Sequence, residues 1–303
     1  MTFFALLTKE MRLRMRQERT VWVLIIYVLL LSLLGWLYLG PITGSGSNTN
    51  YGSDWNATGT ALYQLLTTVQ IVLIIFIAPA FTSNAINTEK ELKTYDMLLC
   101  SQLSAFSLIA GKLIAGLSNV LLLIAAAIPL FSLVFFFGGF TPLHILQDLA
   151  MFVTTAAMIA SFGLFCSTLF AKRSVSTAIG YTTVLLWLTV PPLYVNLAMV
   201  VRGQGDQQQI LNALVWNPLY VLAVNGATSS GVPVSYALAG IHLSPWVAYT
   251  VLNAGATLLF FLLSLCFVKP YPLSRVRACL MAYKKRQEEI TSRGNSHYAN
   301  GVI

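Results

Sequence analysis

Six stretches of about twenty residues run along this chain almost without a polar break. They are approximately Val21 to Leu39, Leu62 to Phe81, Ile114 to Phe137, Met151 to Phe170, Ile179 to Val201 and Trp246 to Val268, and none contains Asp, Glu, Lys, Arg or His. A helix rising 1.5 Å per residue needs about 20 apolar residues to cross the roughly 30 Å hydrocarbon layer. The pattern therefore predicts an all-α integral membrane protein with six transmembrane helices. The first stretch is longer than the roughly 7 to 15 residues of a signal-peptide core and no Ala-x-Ala site follows, so it counts as a helix.

The remaining segments are less uniform. Over Met1 to Thr20, a helical projection puts Phe3, Phe4, Leu7, Met11 and Met15 on one side and Lys9, Arg12, Arg16 and Arg19 opposite. This predicts an amphipathic helix lying in the membrane interface over residues 1–20. The segment 202–245 carries two apolar runs, Ile210 to Trp216 and Leu219 to Val224, split by Asn217-Pro218. Both are too short to span, which predicts re-entrant or interfacial helices on the outer side. They are either an outer gate or helices that cap the bundle. The domain plan is thus an interfacial helix at 1–20, a transmembrane domain at 21–268 with a cytoplasmic loop at 82–112, and a basic tail at 269–303.

Composition and charge sharpen this plan. Of the 303 residues, 57% are hydrophobic and 9% charged, with mean hydropathy +0.74, whereas a soluble domain carries roughly 25% charged residues. All but Arg202 of the 18 Lys and Arg residues fall on one side of six alternating spans. Cytoplasmic loops carry the excess of basic residues, so both termini are expected in the cytoplasm. The basic bias is then a topology signal, and nucleic acid is not an expected partner. The four cysteines, Cys100, Cys166, Cys266 and Cys279, all fall on or near the cytoplasmic side, so no disulfide framework is expected.

Catalytic chemistry is missing its parts. The three histidines, His144, His242 and His297, lie outside the six stretches. His144 and Asp148 are spaced to share a helical face at the outer mouth of span 4, and a structural or solvated pair is expected there, since further metal ligands are missing. No catalytic, cofactor-binding or metal-binding residue is assigned. With no ionisable residue in any stretch, proton- or ion-coupled transport is disfavoured. The polar residues inside the stretches are Gln64, Gln70, Asn119, Asn196 and Asn253. Gln64, Gln70 and Asn196 are candidate pathway-lining residues, with interhelical hydrogen bonding as the alternative role.

The loop between spans 2 and 3 is the most informative segment. It contains Glu89, Lys90, Glu91, Thr94, Asp96, Met97, Leu98, Leu99, Leu103, a candidate helix cap at Ser104, and then Gly111-Lys112. This stretch resembles the signature of ATP-binding-cassette (ABC) transporter permeases of the type-2 exporter class. Their loop commonly reads Glu-Arg-Glu-x-Gly-Thr-x-Glu-x-Leu-Leu-x-x-Pro-Leu-Ser before a Gly-Lys at the start of span 3. Lys93 stands where Gly is usual and Gln102 where Pro is usual. The six-span order, the amphipathic N-terminus and the apolar segment before span 6 extend the likeness over nearly the whole chain.

The resemblance implies a permease subunit, an exporter, in a bacterial cytoplasmic membrane. It implies that the loop is a coupling helix docking on a separate ABC ATP-binding subunit through Glu89, Glu91, Thr94, Asp96, Met97, Leu103, Ser104, Gly111 and Lys112. It also implies a second permease copy or a homologous permease, with spans 2 and 5 lining the path. Phe106 stands where the first Gly of a P-loop would be and Leu113 follows Lys112, so this loop does not cradle phosphate. ATP and Mg are accordingly expected on the partner subunit, with no cofactor on this chain. A membrane scaffold that carries no substrate and an ion-coupled carrier are the alternative readings.

Overall fold

The computed structural model describes residues 18–44, 55–87, 91, 105–134, 141–170, 172–202, 214–229, 236–238 and 241–268. Six long helices fill most of this: α1 (Glu18–Gly44), α2 (Trp55–Thr82), α3 (Ala105–Val134), α4 (Pro142–Leu169), α5 (Arg173–Arg202) and α7 (Pro245–Phe267). Each contains a segment apolar and long enough to cross a membrane, giving the six predicted spans. A shorter helix, α6 (Pro218–Ser229), precedes a two-stranded antiparallel ladder in which β1 (Tyr236–Leu238) pairs with β2 (Ile241–Leu243). Among the described residues the architecture is otherwise all-α; of the predicted interfacial helix at 1–20, residues 18–20 open α1 and the rest lie outside the described residues.

Three helices begin at a capping residue followed by proline: Thr141-Pro142, Asn217-Pro218 and Ser244-Pro245. Proline suits the first helical turn because its missing amide would be unpaired there anyway. The observed extents of the helices correct two expectations. Span 4 starts at Pro142, ahead of the apolar run at Met151, so His144 and Asp148 lie inside a membrane-spanning helix. Likewise Lys112 lies within the helix that carries span 3. The spans are therefore not free of ionisable groups: apolar runs locate the centres of helices, and caps and prolines locate their ends.

Helix α4 is the central element. Its small residues, including Ala156, Ala160, Ser161 and Gly163, are buried and let neighbours approach closely, as membrane helices without a hydrophobic drive between them require. It packs against α2, α3, α5 and α7. On its α7 side Phe162 meets Phe260 edge-on with ring centroids 5.0 Å apart. Outward faces remain apolar, as at Leu29, Leu33 and Trp36 of α1, because hydrocarbon is their solvent.

Side-chain bonds show which ends lie together. Lys112, Ser167 and Ser176 meet the turn after α2 at one end, termed the basic end because Lys172 and Arg173 also lie there. At the opposite end Tyr63 of α2, Asp148 of α4 and Asn225 of α6 converge.

Between α5 and α7, the described stretch 214–229 folds back against the bundle. Asn217 Nδ2 donates to the Leu188 carbonyl at 2.9 Å, and Leu188 is roughly 20 Å along α5 from Arg202 at the usual helical rise. Helix α6 thus starts at mid-depth. In α5 Pro192 has no amide to offer Leu188, so that carbonyl loses its helical partner, and Asn217 replaces it. Asn217 Oδ1 also accepts from the amides of Leu219 (2.9 Å) and Tyr220 (3.4 Å), capping α6. Asn217→Ala is expected to cost about 1 kcal/mol for the cap and a further ~1–3 kcal/mol for the orphaned carbonyl. Hydrogen exchange should show faster exchange over 218–222 with α3 unaffected, and unchanged protection there would remove Asn217 from this role.

Candidate coupling site and distal latch

The turn following α2, Ser83–Asn87, is held by three helices. From α5, Ser176 Oγ donates to the Ser83 carbonyl at 2.8 Å and Thr177 Oγ1 donates to Asn84 Oδ1 at 2.8 Å. From α3, Lys112 Nζ donates to the Ala85 carbonyl at 2.6 Å. From α4, Ser167 Oγ accepts from the amides of Ile86 (3.0 Å) and Asn87 (3.1 Å). In the orientation that satisfies its amide, Asn87 Nδ2 donates back to the carbonyls of Ser167 (2.8 Å) and Phe170 (2.7 Å), covering the end of α4. These bonds satisfy the backbone of a helix end and turn that are buried, which otherwise would be costly at this depth.

Close approach requires glycine on each surrounding helix. A Cβ on Gly116 of α3 would lie 2.7 Å from Thr82 Cγ2, and one on Gly180 of α5 would lie 2.8 Å from Ser83 Oγ. On Gly163 of α4 a Cβ would collide with Thr82 Oγ1 and approach the Ser83 amide nitrogen to 3.2 Å. Thr82 and Ser83 therefore sit in a socket whose walls are α3, α4 and α5. A displacement of this turn has to push on all three helices, since packed interiors resist compression.

Among the predicted coupling residues, Glu91, Gly111 and Lys112 are described. Glu91 is exposed, and its Oε1 accepts from the Arg173 amide at 3.2 Å. A carboxylate there complements the positive end of the α5 dipole. Gly111 and Lys112 are buried in α3, Lys112 being 4% exposed. Lys112 belongs to the socket wall, and neither residue presents an open surface in this conformation. Glu89, Thr94, Asp96, Met97, Leu103 and Ser104, the expected cap of α3 among them, lie outside the described residues.

The candidate pathway residues separate. Gln70 is fully buried and accepts a hydrogen bond from Tyr27 of α1. Gln64 is half-buried, with its Oε1 against Gly226 of α6. Asn196 is exposed, donates to the Pro192 carbonyl of its own helix at 2.8 Å, and lines an open crevice beside Asn217 and Tyr220.

Sequence reasoning paired Asp148 with His144 and missed the cluster that Asp148 forms with Tyr63 and Asn225 at the end opposite the basic end. Asp148 is 3% exposed. Its Oδ2 accepts from Tyr63 Oη at 2.6 Å and its Oδ1 from Asn225 Nδ2 at 2.7 Å. The carboxylate thereby ties α2 and α6 to α4, as a latch on the re-entrant helix. The signal that could have found it is Thr141-Pro142, which places Asp148 two turns inside a helix. The socket glycines carried no signal, since nothing local separates them from the open Gly35 and Gly40.

No curated protein matches this chain. A family model described as ABC-2 family transporter protein matches residues 4–270. That match runs through all six spans, the socket and the re-entrant segment, so the chain belongs to the ABC-2 family and is the membrane-spanning permease component of an ABC transporter.

Proposed function

We propose that this permease is an exporter, driven by a separate ABC ATP-binding subunit that docks on the loop between α2 and α3. The observation that carries the reading is the socket: the loop leaves from Asn87, the last residue of a turn bonded to α3, α4 and α5 at once. A force applied to Glu89, Thr94, Asp96, Met97, Leu103 and Ser104 would be delivered to those helices through Ser83–Asn87 on one side and through Gly111 and Lys112 on the other. Glu91, bonded to the first amide of α5, adds a direct line to that helix. ATP and Mg would act on the partner, and closure of the ATPase pair would shift the helices between two arrangements.

In this reading the basic end faces the cytoplasm, by the positive-inside rule, in a bacterial cytoplasmic membrane, with both termini inside. A second permease copy or a homologous chain completes the path, which α2 and α5 line. Ion coupling was disfavoured on the ground that the spans hold no ionisable residue. Asp148 removes that ground, and the preference for ATP rests on family membership.

Charge reversal at two positions, Glu91→Lys with Asp96→Lys, tests the assignment. Purified gently from native membranes, the parent chain should bring down a P-loop ATPase at about one copy per permease, and the double variant should lose it while still inserting. Intact complexes with no nucleotide-binding partner would favour the scaffold or carrier reading. Retention of full assembly and transport by the variant would show that the loop is not the docking element.

A further inference from the structure

We propose that a cleft between α5 and α7 holds one acyl chain of a membrane phospholipid, inserted sideways from the bilayer. Both helices pack on α4 without extensive contact with each other. Between them lies a cavity of about 360 Å³, walled by Ile159 and Phe162 of α4, Thr183 and Trp187 of α5, and Gly255 and Ala256 of α7. That volume is in the range of ordinary ligand pockets, roughly 300–1,000 Å³. On the α7 side the wall is opened by the small pair Gly255 and Ala256, and a Cβ on Gly255 would meet nothing within 4 Å.

The chemistry of the wall selects the occupant. Its deep polar groups are already satisfied by protein: Tyr249 Oη bonds Thr155 Oγ1 at 2.7 Å, and Asn253 Nδ2 donates to the Tyr249 carbonyl at 2.9 Å. The remaining wall is almost wholly apolar. It offers shape and dispersion and has no use for a polar ligand, and an apolar cavity of this kind does not hold water. Outside the cleft both helices present apolar residues, Leu185 and Leu186 on α5 and Leu258 and Leu262 on α7, all exposed. The cleft is therefore continuous with the lipid-facing surface, and the medium that reaches it is hydrocarbon. A chain seated there would touch Val215 and Trp216, which lead into the re-entrant helix, so occupancy would brace α6 from behind. This inference concerns a resident lipid and stands independently of transport direction.

The test uses the full chain, with any subunits that copurify, in liposomes containing a phosphatidylcholine with a diazirine near the end of one acyl chain. After illumination, peptide mapping should find saturable labelling at Ile159 and Phe162 beside non-saturable labelling at Leu262. Filling the cleft from either wall, by Gly255→Leu or by Thr183→Leu, should abolish the saturable labelling and leave Leu262 labelled. Gly35→Leu, at an equally open position on α1, should change nothing. Two fillers from opposite helices keep the result decisive if one of them misfolds. Labelling confined to bilayer-facing residues, or saturable labelling untouched by both fillers, would overturn the proposal. So would a disulfide-linked dimer formed readily by Gly255→Cys, which would assign the cleft to a second copy of the chain.

Discussion

Gly163→Ala is expected to loosen the basic end of the bundle, and adding Thr82→Ser should leave that defect in place while rescuing the same change at Gly116. The two glycines face different atoms of one side chain. A Cβ on Gly116 meets Thr82 Cγ2 at 2.7 Å, whereas one on Gly163 meets Thr82 Oγ1 and then the Ser83 amide nitrogen at 3.2 Å. Serine lacks the methyl group and keeps the hydroxyl, which is held in place by its bond to the Ala78 carbonyl at 3.0 Å. The Ser83 backbone cannot swing aside, because Ser83 N donates to the Pro79 carbonyl and Ser83 O accepts from Ser176. Each alanine should cost about 1–3 kcal/mol by overpacking, read as a drop of several degrees in the melting transition of the detergent-solubilised chain. A double-mutant cycle then isolates the pairwise term. Wild-type stability for both alanine variants, or rescue of Gly163→Ala by serine, would mean that the socket is looser than these distances indicate.

The second large effect is expected at the opposite end. Asp148→Ala removes the acceptor for two buried donors, Tyr63 Oη and Asn225 Nδ2. Losing this acceptor costs ~1–3 kcal/mol for each buried donor, so a loss of several kcal/mol is expected. Tyr63→Phe removes one donor and leaves the Asn225 bond, and should cost less. Hydrogen exchange locates the effect: protection over 218–229 should fall sharply in Asp148→Ala, while the amides of Ile86 and Asn87, bonded to Ser167 at the far end of α4, keep theirs. Uniform loss across the bundle would mark Asp148 as a general packing residue, and unchanged protection in α6 would remove the latch.

These two sites also mark the boundary of what could be read from residues in order. The six spans, the all-α class and the break at Asn217-Pro218 follow from one-dimensional signals: apolar run length against bilayer thickness, prolines and caps. The family likeness was carried by the loop at Glu89 to Lys112, where residue types and spacing suffice. Helix ends were less legible, because the apolar run of span 4 begins at Met151 while the helix begins at Pro142. That displacement hid Asp148 inside the membrane-spanning part.

The sequence by itself determined how many helices cross and where the basic end lies, since the penalty for unpaired backbone and charge in hydrocarbon acts on each segment separately. Only the tertiary structure decided that Gly116, Gly163 and Gly180 close on Thr82 and Ser83, that Asn217 replaces the bond Pro192 withholds from Leu188, and that Asp148 joins Tyr63 to Asn225. Such contacts join residues far apart in the chain, and their energy depends on shape and direction between helices, which no local pattern records.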